Sequence, residues 1–438
     1  MTTRRFNDEN TPNPDEFPHD PSNESDDGDY GRVDTGRAPN RRYSMPSPDD
    51  VNKTRELMQS PAPIRRESQR VQYDNPNVGS NTSGQAIGGR GGAHLPRTLT
   101  QVLNEANDRV MRGDLIDFVP LPTGFDPLDG YIGGGLRKTE LVLLGGAQGV
   151  GKTIATMQIA RNIAMRNDHY VFYLSYEHTE GHLMHRLLCL ESINPPDIDI
   201  NRGIKLADLY KIIVAQRARG FMGKEEGDDS GSLQAILRDN PKTAPGLGRL
   251  IKYSDRMILL KASPSVTTLR AIKEMTSRLC DATGGNVVLF IDYLQKIAVH
   301  PERPRDENDK VTIIVEGLKD IAMTLDIPVW SIVAADREGL KSKRIHLFHM
   351  RGSSALDYES DIAIIMNNKY QIMSKDHVNF NPYTAKQFRD WVVFTIEKNR
   401  AGRAMQDMEF QLHGQHFAFD TRGQKVQQQL IDDKIIET

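Results

Sequence analysis

Apolar positions along the chain fall into two regimes. From about residue 120 onward, short runs that are apolar throughout alternate with stretches in which apolar residues recur every three or four positions. The runs are Glu140–Gly146, Tyr170–Ser175, Arg256–Lys261, Val287–Ile291, Pro328–Val333, Ile362–Met366 and Trp391–Glu397. A strand that is apolar on both faces is buried on both faces. The pattern therefore predicts an α/β fold, a mostly parallel central sheet covered by helices. The clearest helical stripe is Val311, Ile314, Val315, Leu318, Ile321, Ala322 and Leu325. After Trp391 the runs Met408–Leu412 and His416–Phe419 flank His413-Gly414, which predicts an antiparallel hairpin at the sheet edge. Ahead of the alternating region, Thr98 and Gln101 have capping-box spacing. Leu99, Val102, Leu103, Ala106 and Val110 follow at helical period. Their stripe needs a partner, either its own domain or a neighbouring subunit.

The first regime is different. Residues 1–98 hold 11 of the 23 prolines, 13 basic and 15 acidic residues, and about 20% apolar residues. Such a stretch cannot bury enough surface to offset its chain entropy, so residues 1–97 are expected to be a disordered tail. Residues 98–115 are expected to be a linker helix and 116–438 one α/β domain. The acidic run within Met222–Ser232 marks a loop insertion around 220–248. Two Arg-Arg-x-Ser strings, ending at Ser44 and Ser68, suit a basophilic kinase or are chance matches in a solvated tail. No apolar run reaches membrane-spanning length, and the N-terminus has no apolar signal region. The two cysteines, Cys189 and Cys280, make no metal-type spacing. A cytoplasmic address without membrane partners is the expectation. The net charge of −3 neither indicates nor excludes a nucleic-acid partner, because a local basic groove suffices.

Candidate chemistry concentrates where a strand run meets a helix. Gly146, Ala147, Gln148, Gly149, Val150, Gly151, Lys152 and Thr153 fit G-x-x-x-x-G-K-[ST]. Glycines let backbone N–H groups wrap phosphates at a helix N-terminus, Lys152 should reach the β- and γ-phosphates of ATP, and the Thr153 hydroxyl should ligate Mg²⁺. Asp292 ends the run 287–291, the place for a second Mg²⁺ carboxylate, unless it only caps a turn. Glu177 follows the run 170–175, where a strand-end acid points into a ligand crevice and can orient water, unless it is simply exposed. Lys398 and Arg400 lie two apart on an extended segment and face the same way. They are either a solvated pair or cations for a neighbour's transition state.

Together these residues resemble the DnaB helicase family of RecA-like hexameric ATPases, over roughly residues 98–420. Pro122–Asp129 is similar to that family's entry segment. Tyr173-Leu174-Ser175-Tyr176-Glu177 is similar to its catalytic-glutamate motif, and Ile291-Asp292-Tyr293-Leu294-Gln295 to its Walker B signature. Met350–Asp361 resembles the segment after its DNA-contacting loop, and Lys398-Asn399-Arg400-Ala401-Gly402 its finger motif. The resemblance implies a RecA-like P-loop core and a homo-hexameric ring. Lys398 and Arg400 would act on the adjacent subunit's ATP, and single-stranded DNA would pass through the pore.

Three departures stand out. The tail cannot form the family's N-terminal helical domain, and its own protein partner is unidentified. Ala334 stands where the family carries a γ-phosphate-sensing Gln. The stretch between the glutamate strand and residue 256 is enlarged. Two loops would supply pore cations: one with His300, Arg303, Arg305 and Lys310, the other with Arg337, Lys341, Lys343 and Arg344. The second is otherwise a plain basic turn, and it has no aromatic residue, so contact should be with phosphates rather than bases. The expected function is an ATP-hydrolysing motor that translocates on or unwinds DNA. The alternatives are a RadA- or KaiC-like ATPase for recombination or regulation, and an ATP-dependent assembly protein without helicase activity.

Overall fold

The computed structural model describes residues 96–431, apart from 116–117, 167, 221–231, 301–303, 374, 376–380 and 429. Nearly all of the expected tail, with both Arg-Arg-x-Ser strings, lies outside the described residues. So do the acidic run after residue 220 and Arg303.

The strands are β1 Leu141–Gly146, β2 Tyr170–Ser175, β3 Met257–Lys261, β4 Val287–Asp292, β5 Val329–Ile332, β6 Ile362–Asn368, β7 Trp391–Asn399, β8 Gln406–His413, β9 Ala418–Phe419 and β10 Gln424–Lys425. They form one sheet in the order β10-β8-β7-β6-β1-β5-β4-β2-β3, with β9 beside β8. Pairings from β6 through to β3 are parallel; β6–β7, β7–β8, β8–β9 and β8–β10 are antiparallel. The apolar runs are therefore the parallel centre, buried on both sides. Alternate residues enter two separate cores. Val142, Leu144, Tyr173, Phe290 and Trp330 face one, and Leu141, Leu143, Phe172, Leu289 and Ile291 face the other.

The longer helices are α1 Leu99–Met111, α2 Lys152–Ala164, α3 Glu180–Ser192, α4 Leu206–Gly220, α5 Leu233–Asp239, α6 Ala244–Ile251, α7 Leu269–Thr283, α8 Glu307–Leu325 and α9 Ser353–Glu359. The α8 stripe buries Val311, Ile314, Val315, Leu318, Ile321 and Ala322 on the second core. On the first core, Phe125, Phe394, Phe410 and Phe419 pack in an aromatic cluster, with Phe394 and Phe410 centroids 4.8 Å apart. The expected hairpin is present: β8 turns through Gly414–His416 into β9, although β10 also pairs with β8.

α1 starts with the capping box expected from Thr98 and Gln101, Gln101 N–H donating to Thr98 Oγ1 at 3.3 Å. None of its residues is buried; Leu99 is 83% and Leu103 65% exposed. The insertion around 220–248 differs from the loop that composition suggests. Its described part contains α5, capped by Ser232 Oγ, and most of α6, which packs on α3. Arg249 of α6 donates to Glu191 O at 2.8 Å. These helices have 7 and 8 residues, too few turns for a periodic signal, and Pro245, Gly246 and Gly248 lower the helical propensity of α6.

Candidate functional site

The carboxyl ends of β1, β4 and β2 converge, because β5 alone separates β1 from β4, and β2 adjoins β4. β1 runs into the P-loop. Gly146 adopts φ 143° and Gly151 φ 103°. A Cβ on Gly146 would stand 2.4 Å from Met366 O, so only glycine allows the loop to leave the sheet here. α2 then begins at Lys152, directing its free N–H groups at the loop. Lys152 Nζ donates to Gly146 O at 2.8 Å and to Ala147 O at 2.7 Å. Burial pulls its pKa down to about 8, against the pull of the nearby Asp292 and Glu177 charges.

Asp292 is 1% exposed. Its Oδ2 accepts from Thr153 Oγ1 at 2.8 Å and from the Tyr173 hydroxyl at 3.3 Å. Burial pushes its pKa up to about 6; the Thr153 hydroxyl works against this and the Glu177 charge adds to it. A hydroxyl and a buried carboxylate held side by side beneath a phosphate loop are hard oxygen donors. That donor set fits Mg²⁺ brought in with nucleotide phosphates. Among the described residues no cluster of three His, Cys, Asp or Glu side chains would hold a metal by itself.

Glu177 lies exposed just beyond β2, where Ser175 Oγ accepts from the N–H groups of Glu177 at 3.4 Å and His178 at 3.0 Å. Arg186, on α3, completes this side and was missed by sequence reasoning. It is half-buried and senses the charges of Asp292 and Glu177. Its Nε donates to His182 Nε2 at 3.0 Å, and its guanidinium lies 4.9 Å from the Phe417 ring centre. The available signal was one arginine between Leu183 and Leu187, both buried.

Lys398 and Arg400 sit at the other end of the sheet. Arg400 Nη1 pairs with Asp361 Oδ1 at 3.2 Å, and Asp361 Oδ2 accepts Leu141 N–H, at the start of β1, at 2.7 Å. Lys398 Nζ donates to Asp357 O and Tyr358 O at the end of α9. The length of β1, about 17 Å at ~3.3 Å per residue, separates these cations from their own P-loop. A β-bulge sets their phase. Ile396 pairs with Ile364 on the first core's face, but Lys398 pairs with Ala363, which faces the second core. The extra residue, Glu397, turns Lys398 away from the aromatic cluster and toward α9.

Of the proposed pore cations, Arg337, Lys341 and Lys343 lie on the turn after β5, and all three are exposed. Arg344 is a correction. It is 5% exposed, and its Nη2 donates to Asp407 Oδ1 at 2.8 Å and Thr395 Oγ1 at 3.2 Å. It anchors the turn to β7 and β8 and is not available to DNA. In the other loop, Lys310 Nζ donates to Gln295 O at 2.8 Å and Arg305 pairs with Asp309. Ala334 is clamped by Gln295, whose Oε1 accepts Ala334 N–H at 3.2 Å and whose Nε2 donates to Ala334 O at 3.3 Å.

A family model described as DnaB-like helicase C terminal domain matches residues 120–218 and 237–421. The replicative DNA helicase DnaB of Geobacillus stearothermophilus is 26% identical over 280 residues, 63% of this chain and 54% of that protein. The replicative DNA helicase DnaC of Bacillus subtilis is 26% identical over 283 residues, 64% of this chain and 54% of that protein. This chain thus spans about half the length of the curated relatives it matches. Among solved structures, one described as an ATPase domain aligns over 74% of this chain and 99% of its own, with TM-score 0.53 and 19% identity. A DnaB-like replicative helicase, from a structure described as covering its interactions with primase, aligns over 74% of this chain and 67% of its own, with TM-score 0.51 and 19% identity. These likenesses establish a RecA-like helicase ATPase fold. No helix among the described residues is long and apolar enough to cross a membrane.

Proposed function

This chain belongs to the DnaB-like helicase C-terminal domain family, and on that premise we propose that it is an ATP-hydrolysing homo-hexameric motor that moves along single-stranded DNA. One observation carries the reading. The phosphate loop and the paired cations stand at opposite ends of one sheet, so a complete site needs two copies of the chain. A head-to-tail contact between copies closes into a ring.

In this reading the P-loop N–H groups and Lys152 hold the β- and γ-phosphates, while Thr153 and Asp292 hold Mg²⁺. With the ion held there, the negative charge of the phosphates would be offset during transfer to water. Glu177 orients the attacking water and accepts its proton. Arg186 supplies positive charge from the same chain, and Lys398 and Arg400 supply it from the neighbour. Arg337, Lys341 and Lys343 face the pore and meet DNA phosphates, a salt-sensitive contact without base reading.

The test is steady-state ATPase with and without single-stranded and forked DNA, alongside native mass, for the full chain and Lys152→Ala. A hexamer whose turnover rises with DNA and vanishes in the variant is expected. A hexamer without turnover, or turnover that survives Lys152→Ala, refutes the motor. Ala334 favours a second reading, ATP-dependent assembly of a ring with little coupling to DNA, because no side chain there can contact the γ-phosphate. Hydrolysis that DNA does not change supports that alternative.

A further inference from the structure

Two buried side chains have no part in the chemistry above. His346 and Glu397 have side chains only 9% and 8% exposed. Glu397 is the extra residue of the β7 bulge. Its Oε2 accepts Leu347 N–H at 2.7 Å, and its Oε1 lies 2.7 Å from His346 Nδ1. A carboxylate only accepts, so Nδ1 carries the proton. His346 and Leu347 lie on the return limb of the basic turn. Asn367 of β6 fastens the same limb, accepting Ile345 N–H at 2.8 Å and donating to Ile345 O at 2.9 Å. The His346 ring stacks on Phe348, which is itself 58% exposed. A short path of contacts thus runs from the turn through His346 to Glu397, and the chain continues directly into Lys398 and Arg400.

A bulge residue has no ladder partner, so something outside the ladder must hold it. Without such a hold, β7 can slip by one residue against β6. Lys398 would then fall on the face of Ile396, toward Phe394 and Phe410. The clamp from His346 and Leu347 opposes that slip.

We infer that Glu397 is a positioning residue: it sets the register of Lys398 and Arg400, and through His346 and Leu347 it links that register to the turn after β5. The inference rests on the functional reading above, in which the turn meets a phosphate backbone and the two cations serve a neighbour's ATP. A polyanionic strand that pulls on the turn shifts the clamp, and the finger cations move with it.

The experiment uses the full chain and a single-stranded oligothymidylate. ATPase kcat and KM, oligonucleotide affinity by anisotropy and native mass are measured for wild type, His346→Leu, His346→Asn and Glu397→Gln. His346→Leu should cut the oligonucleotide stimulation of kcat by about five-fold, leaving KM and oligonucleotide affinity within about two-fold. His346→Asn retains an N–H donor near the Nδ1 position and should recover most of the stimulation. Glu397→Gln should lower kcat rather than raise KM. Wild-type stimulation in His346→Leu and Glu397→Gln overturns the inference alone. Loss of the ring or of oligonucleotide binding in those variants also overturns it, by reducing the clamp to a structural part. A wild-type chain with no stimulated turnover overturns the functional reading, and the inference with it.

Discussion

Replacing Asp292 by Asn should stabilise the nucleotide-free protein while abolishing ATP hydrolysis. Asp292 is almost fully buried, and its pKa moves from an ordinary 3.8 to about 6. That is about two units, or roughly 3 kcal/mol set against the ionised form. The folded chain holds this proton more tightly than the unfolded chain does. Stability therefore falls as pH rises from about 4 to about 6, and the full cost is present above pH 6. Asn carries no charge, and its Oδ1 still accepts from Thr153 and Tyr173. The ammonium of Lys152 loses a neighbouring charge, which trims the gain to about 1–2 kcal/mol, a rise of roughly 1.5–3 °C in melting temperature for a domain of this size. The assay is thermal unfolding in EDTA at pH 5 and pH 8. The variant should melt higher at pH 8, and its margin should shrink to about half at pH 5, where the folded wild type is mostly protonated but its unfolded chain is still ionised. Added Mg²⁺ and ATP should raise the wild-type melting temperature and leave the variant nearly unmoved. A variant less stable than wild type at pH 8, or equally shifted at both pH values, refutes the reasoning.

Because burial holds the Lys152 pKa near 8, its cation is lost as pH climbs past that value, so the dissociation constant of a fluorescent ATP analogue should rise between about pH 7.5 and 9.5. A flat profile tells against Lys152 as the phosphate-binding cation; Lys152→Ala should flatten it. Mixing subunits tests action in trans: Lys152→Ala and Arg400→Ala chains, each inactive alone, should regain part of the turnover in mixed rings, since some interfaces then combine an intact Lys152 with an intact Arg400. Absence of recovery in mixed hexamers of confirmed composition argues against the neighbour's cation. Arg344→Ala should lower stability by about 3 kcal/mol by unpairing Asp407, while leaving the salt dependence of DNA binding unchanged. Lys343→Ala should do the reverse, reducing the salt slope of the affinity by about one per subunit contact. Equal effects of the two on that slope would restore Arg344 to the DNA surface.

The candidate phosphate loop was legible in the sequence because its parts are contiguous. A glycine pattern between an apolar run and a helix fixes backbone geometry locally, and Gly146 and Gly151 occupy the positive-φ positions such a loop requires. Asp292 and Glu177 were legible as candidates for a related reason: a strand apolar throughout must be central, and a residue at or just beyond its carboxyl end can then reach the crevice. Long amphipathic stripes such as that of α8 also survive without tertiary information.

What only the tertiary structure decided is which way individual side chains face and what they meet. Arg344 reads like Lys343 in a basic turn, yet Asp407, 63 positions later, buries it. Arg186 joins the site only because α3 folds back and brings it within reach of the Asp292 and Glu177 charges. Lys398 faces α9 rather than the aromatic cluster because one unpaired residue shifts the β7 register, and nothing in Glu397-Lys398-Asn399-Arg400 announces that shift. Local sequence fixes backbone conformation over a few residues. Register and burial depend on partners brought together by the whole sheet, and a single-residue change in register reverses every side chain beyond it.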